Sequence, residues 1–127
     1  MSVSVVGRMV ACREALTDGK EWSFYFINDS AAPCHRLVLK RVSSEWGSNS
    51  AIDAQDIAIG DVAPGAHALV WRDDGSGAEF RMTIQVAFER EGRAVVLGFE
   101  FPKLYRQRDL PVVAGLGKPG LQVRPGQ

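Results

Sequence analysis

Few residues of this chain have the types to do chemistry, and their spacings specify no reaction. His35 and His67 are the only histidines, and Cys12 and Cys34 the only cysteines. Together they make four ligands, the number a structural zinc ion takes, but their spacing fits no zinc pattern. A cysteine–histidine pair has no nucleophile signature around it, and no G-x-S-x-G elbow offers a serine. Asp73-Asp74-Gly75-Ser76-Gly77 groups oxygen donors with glycines. It lacks the spaced ligands and closing glutamate of a calcium loop, so the expectation is a solvated hairpin loop that uses glycine's freedom at positive φ. Gly115-Leu116-Gly117-Lys118-Pro119-Gly120 spells G-x-G-x-x-G. Pro119 disfavours a helix at Lys118, and only seven residues follow Gly120, so no βαβ unit for a dinucleotide fits there. No catalysis, metal or cofactor is expected.

Residues that recognise a partner are easier to nominate. Trp22 and Trp71 sit in apolar runs and are expected in the core or at its edge, each indole N–H needing an acceptor. Trp46 lies in a polar stretch beside Gly47 and is the candidate recognition anchor. Lys103-Leu104-Tyr105-Arg106-Gln107-Arg108 mixes cations with one aromatic ring, a weak form of the pattern that binds single-stranded nucleic acid. Fifteen basic residues balance fifteen acidic ones, which argues against a nucleic-acid or anionic-membrane partner and removes the repulsion that keeps copies apart. The candidate contact residues are therefore Trp46, Asp73, Asp74, Tyr105, Arg106 and Arg108.

The elements that must position these residues read as strands. Phe80, Met82, Ile84, Val86 and Phe88 alternate with Glu79, Arg81, Thr83, Gln85 and Ala87, a period of two with one dry face and one wet one. Val95, Leu97, Phe99 and Phe101 repeat the pattern after the Glu91-Gly92 turn. Further strands are expected over 3–12, 22–27, 36–42, 57–62 and 67–71, separated by Asp18-Gly19, Asn28-Asp29-Ser30, Pro64-Gly65 and the 73–77 loop. Residues 43–56 read as polar and irregular apart from Trp46-Gly47 and Ile52. The one helical candidate is a single turn over 104–109. Turn signals every ~8–12 residues without helical periodicity predict an all-β, antiparallel two-sheet sandwich, immunoglobulin-like with Greek-key connections.

Two segments are expected, a sandwich over 1–109 and a Pro/Gly-rich arm over 110–127. Proline keeps the arm out of a central strand. Its apolar residues Leu110, Val112, Val113, Leu116, Leu121 and Val123 need cover, either on the arm's own domain or on a neighbouring subunit. No apolar run reaches the ~18–20 residues of a membrane helix. Residues 1–10 lack a basic n-region and a clean apolar core, so a cytoplasmic chain with two reduced cysteines is expected, and Asn28-Asp29-Ser30 is then a polar turn rather than a glycosylation site.

Trp22…Ile27-Asn28, the Ser-x-Trp-Gly of 44–47, the Pro64-Gly65 turn and Ser76-Gly77-Ala78-Glu79-Phe80 follow one another in an order that resembles the aegerolysins. These are small β-sandwich proteins that bind membrane lipids. The resemblance spans roughly residues 22–80. Phe101-Pro102-Lys103 stands where that family has a tryptophan-and-cysteine segment, and the Pro/Gly arm has no counterpart in it. The resemblance implies lipid-facing loop aromatics, chiefly Trp46. The sequence thus leads to a non-catalytic interaction module that self-associates through an edge strand or the C-terminal arm. An aegerolysin-like lipid binder is the alternative, and only that reading brings in a membrane.

Overall fold

A computed structural model describes residues 6–13, 21–104 and 107–126. Eight strands run β1 (Gly7–Arg13), β2 (Trp22–Asn28), β3 (Cys34–Trp46), β4 (Asn49–Val62), β5 (His67–Asp73), β6 (Arg81–Arg90), β7 (Arg93–Phe101) and β8 (Leu121–Val123). They form two four-stranded sheets in the orders β5-β2-β1-β8 and β4-β3-β6-β7, every neighbouring pair antiparallel. The protein is an all-β, two-sheet antiparallel sandwich. No helix among the described residues is long and apolar enough to cross a membrane.

Alternation in the strands builds the seam. Met82, Ile84, Val86 and Phe88 of β6 and Phe99 and Phe101 of β7 are buried from one side, Met9, Ala11, Trp22, Phe24 and Phe26 from the other. Phe24 meets Phe101 edge-on at 5.1 Å, and Phe26 reaches Phe88 and Phe99 at 5.6 and 6.4 Å. Burying each such side chain contributes roughly 1.5–3 kcal/mol.

The central strands of the first sheet are buried on both faces, because the tail covers the outer one. Val113 is buried against Val10, Cys12, Tyr25 and Ile27, with Leu116 packed beside it. The tail is tied into a loop: Val113 N–H donates to the Lys118 carbonyl at 2.9 Å, and Gly120 N–H to that of Pro111 at 2.9 Å. Gly115 and Gly117 turn it at φ 87° and 73°, so the G-x-G-x-x-G letters serve a turn. Arg8 pins the loop, its Nη2 donating to the Ala114 carbonyl at 2.8 Å and its Nε pairing with Asp29. Beyond it β8 joins β1, and Gly126 N–H donates to the Gly98 carbonyl of β7 at 2.7 Å, bridging the two sheets.

The structure departs from the sequence reading at several points, among them the loop 73–77, expected to be solvated, where Asp73 and Gly77 are buried, as is the adjoining Ala78. Residues 43–56 are the heart of the long β3–β4 hairpin rather than an irregular stretch. Most of β4 is solvated at the sheet edge, so no dry face alternates along it. Phe80 precedes β6 and leaves the alternating row. Trp71 Nε1 is buried and meets no acceptor among the described residues. The Asp18-Gly19 turn lies outside the described residues, as does most of the expected helical turn, of which Leu104 and the Gln107 N–H to Leu104 carbonyl bond (2.9 Å) remain.

Candidate functional site

The ends of β1, β3, β5 and β7 and the starts of β2, β4 and β6 gather at one end of the sandwich. Trp46 stands there, at the tip of the β3–β4 hairpin, where Gly47 (φ 60°) turns the chain toward Asn49. It is 41% exposed. Its ring lies 5.4 Å from that of Phe80, tilted by 45°. The two aromatics sit in a cleft of about 380 Å³ with Glu45, Glu79, Arg81 and Lys103 around them. The cleft thus has an aromatic floor and a rim of both charge signs.

The same hairpin carries two more exposed large apolar residues, Ile52 at 53% and Ile57 at 38%. Ile57 pairs with the core residue Leu39, and Ile52 with Ser43. No strand among the described residues pairs with the outer edge of β4. That edge is not flat. The register slips between Val42 and Ser43 and between Leu37 and Val38, leaving Asp53 and Ile59 as extra residues. Asp53 accepts a 2.5 Å hydrogen bond from the Ser44 hydroxyl, and Asp56, at φ 57°, pairs with Lys40 at 2.9 Å. Bulges and carboxylates of this kind interrupt an edge and discourage one continuous ladder with another chain.

The acidic loop is a structural fastener. Asp73 is buried, and its carboxylate accepts N–H bonds from Gly75, Gly77 and Ala78 at 2.9, 3.2 and 3.1 Å. Burial pushes its pKa up, against the three N–H groups that pull it down. Asp74 accepts from the Ser76 hydroxyl at 2.7 Å and from the Ser76 N–H at 2.9 Å, bonds that hold its pKa down. Both carboxylates are engaged in shaping the turn that delivers Phe80 to Trp46.

The remaining chemistry-bearing residues are dispersed. Cys12 lies on the outer face of the first sheet, while Cys34 is in the core; both are buried, and no disulfide joins them. Burial raises the Cys34 pKa, with Arg90 opposing. His35 faces Asp61 at 3.6 Å, and His67 stacks edge-on against Tyr25 at 5.7 Å. No cluster of three or more His, Cys, Asp or Glu among the described residues has the geometry for a metal. Asn28 is fully buried at the opposite end, its amide donating to the Ala32 and Val62 carbonyls at 2.9 and 3.0 Å, so the sequon asparagine staples two loops.

Of the residues nominated from sequence, Trp46, Asp73 and Asp74 share this end, and Arg108 lines a separate cleft beside Arg13 and Lys118. Tyr105 and Arg106 lie outside the described residues. Sequence reasoning missed Phe80, Ile52 and Ile57. The alternating row hid Phe80; two isoleucines within a stretch rich in Asp, Ser and Asn were the available signal for the other pair. Neither a protein-family model nor a curated protein matches this sequence.

Proposed function

We propose that this chain is a non-catalytic interaction module of immunoglobulin-like build, that its working element is the β3–β4 hairpin, and that its partner is a second copy. The strand order β5-β2-β1 facing β4-β3-β6-β7, with the β2–β3, β4–β5 and β5–β6 connections crossing from one sheet to the other, supports the immunoglobulin-like, Greek-key reading. The observation that carries the function is that Trp46, Ile52 and Ile57, all exposed, are spaced along a hairpin whose strand β4 is a long unpaired edge. Aromatic and aliphatic anchors of this kind carry most of the energy of an interface. Zero net charge removes a barrier to like-with-like contact. Because bulges interrupt the edge, the association rests on side chains more than on ladder hydrogen bonds.

The test is sedimentation of the full chain and its Ile52→Lys variant. The parent is expected above the 13.9 kDa monomer mass. The variant, which sets a cation into the contact, is expected to dissociate at least about tenfold more readily. A parent that stays monomeric as concentration rises refutes self-association.

One observation favours a second reading, an aegerolysin-like contact with lipid. Trp46 stands part-exposed at a hairpin tip with Arg81 and Lys103 beside it, as well as Glu45 and Glu79, an amphipathic ring of the kind found at a membrane interface. Liposome flotation that Trp46→Ala abolishes, from a parent that sediments as a monomer, selects this reading over the first.

A further inference from the structure

Strand β7 ends the second sheet on the side away from β4, and its outer edge is built differently. Its register with β6 runs from Arg90↔Arg93 to Met82↔Phe101 without a slip, and none of its residues has a positive φ. Ala94, Val95, Val96, Leu97 and Gly98 follow one another without a charge. A regular, uncharged edge of this kind is a template for pairing with another backbone.

Two residues of this edge present open backbone groups. Gly126 N–H donates to the Gly98 carbonyl at 2.7 Å, so that carbonyl points away from β6. In an antiparallel ladder every second residue turns its N–H and C=O to the same side. Ala94 and Val96 therefore turn theirs outward as well. No strand among the described residues pairs with them there. Both side chains are exposed, Val96 at 59%. The antiparallel bridge from Gly126 plugs the edge at Gly98 and leaves a seat along 93–97.

Charge and register select the occupant. Arg93 begins the seat, exposed and with no ion pair among the described residues, while Glu89 and Glu91 of the same turn pair with Arg36 and Arg90. A second copy laying its own β7 antiparallel on this edge fits poorly. Setting Ala94 against Val96, or Val96 against its twin, drives the incoming strand into Gly126. Setting Ala94 against its twin puts the two Arg93 side chains on one face at diagonal positions, where like charges repel. A foreign segment with a carboxylate opposite Arg93 meets neither obstacle. We propose that the β7 edge binds an extended segment of a different protein by antiparallel strand addition along 93–97, with a carboxylate of that segment opposite Arg93. Main-chain hydrogen bonds supply the affinity in this mode, and side-chain pairing supplies the choice. None of these residues lies on the β3–β4 hairpin, so the proposal stands whether or not copies of the chain associate there.

The test follows backbone amides of the full chain by NMR while a capped pentapeptide is added, reading valine, threonine, valine, threonine, glutamate. Antiparallel to β7, its glutamate falls opposite Arg93 and its threonines opposite Val96 and Ala94. The amides of Ala94 and Val96 are expected to shift with saturation. Methylating both threonine nitrogens, which donate into the ladder, is expected to weaken binding about tenfold or more. Methylating the central valine nitrogen, which points away, is expected to change it little. Lysine in place of the glutamate is expected to weaken binding about threefold or more, and Arg93→Glu to reverse that preference. The proposal is overturned if millimolar peptide leaves both amides unmoved, if the two methylated peptides bind equally, or if Arg93→Glu leaves the preference as it was. Shifts at Ala94 and Val96 that grow with protein concentration alone make a second copy the occupant and overturn it too.

Discussion

Asp73 and Ile84 show how single side chains divide between shaping and holding. Asp73 binds three N–H groups and is still pushed upward in pKa, because burial outweighs them. A carboxyl whose folded pKa is raised takes up its proton at higher pH in the folded than in the unfolded chain. Below its ordinary value of 3.8 both states hold the proton and the group has no net effect. As pH rises from there through the raised value, the unfolded chain ionises first, and stability falls. Carboxyl-carbon NMR should therefore place the Asp73 midpoint above 3.8, and a midpoint at or below it would mean that the three N–H bonds outweigh burial. Ile84 is fully buried in the seam. Ile84→Asp forfeits roughly 1.5–3 kcal/mol of burial and adds an unpaired buried charge at about 3–5 kcal/mol. Against a typical stability of about 5–15 kcal/mol, the variant is expected to be unfolded. A soluble variant with a cooperative melt would disprove the face assignment. Ile84 was readable from sequence, because its neighbours two positions away are apolar too. The burial of Asp73 was not, since a run of Asp and Gly looks the same whether it faces water or folds over its own amides.

Among the elements, β6 and β7 were readable and β4 was not, for one physical reason. A strand announces itself by alternation only when one face is dry and the other wet. Strands β6 and β7 meet that condition. Strand β4 lies at the edge, wet along most of its length, and bulges at Asp53 and Ile59 shift its period. Its hairpin, which carries the candidate site, was therefore visible only as Trp46 beside Gly47. The tail poses the opposite case. Its prolines and glycines correctly argued against a central strand, yet it folds as a cover over β1 and β2 and ends as the edge strand β8. Gly120 is the point of closest approach, where a side chain would meet the Ala11 carbonyl at 3.0 Å, a backbone atom that cannot swing aside. Gly120→Val is expected to destabilise the protein by about 1–3 kcal/mol, as overpacking does. Gly98→Ala, where a Cβ meets nothing within 4 Å, is expected to change the thermal midpoint little. Equal midpoints for the two variants would mean that the tail does not seat on β1.

For the whole molecule, the two sheets are finished differently. The central strands β1 and β2 of the first are closed on both faces, by the seam within and the tail without. The second keeps its outer face and the β4 edge open, and its β3–β4 hairpin carries the exposed Trp46, Ile52 and Ile57. Charge balance and overall apolar content predicted one globular domain with a complete core and no general attraction to nucleic acid or an anionic membrane, but composition has no direction and could not say which sheet would stay open. That asymmetry is the ground for the central claim, that the β3–β4 hairpin is where another copy of the chain binds. Amide hydrogen exchange followed over a range of protein concentrations tests it at the level of the residues involved. Amides of 46–58 are expected to gain protection as concentration rises, while those of β1, β2 and the tail keep theirs throughout. Protection along the hairpin that does not change with concentration, or a gain confined to the tail, would contradict the claim.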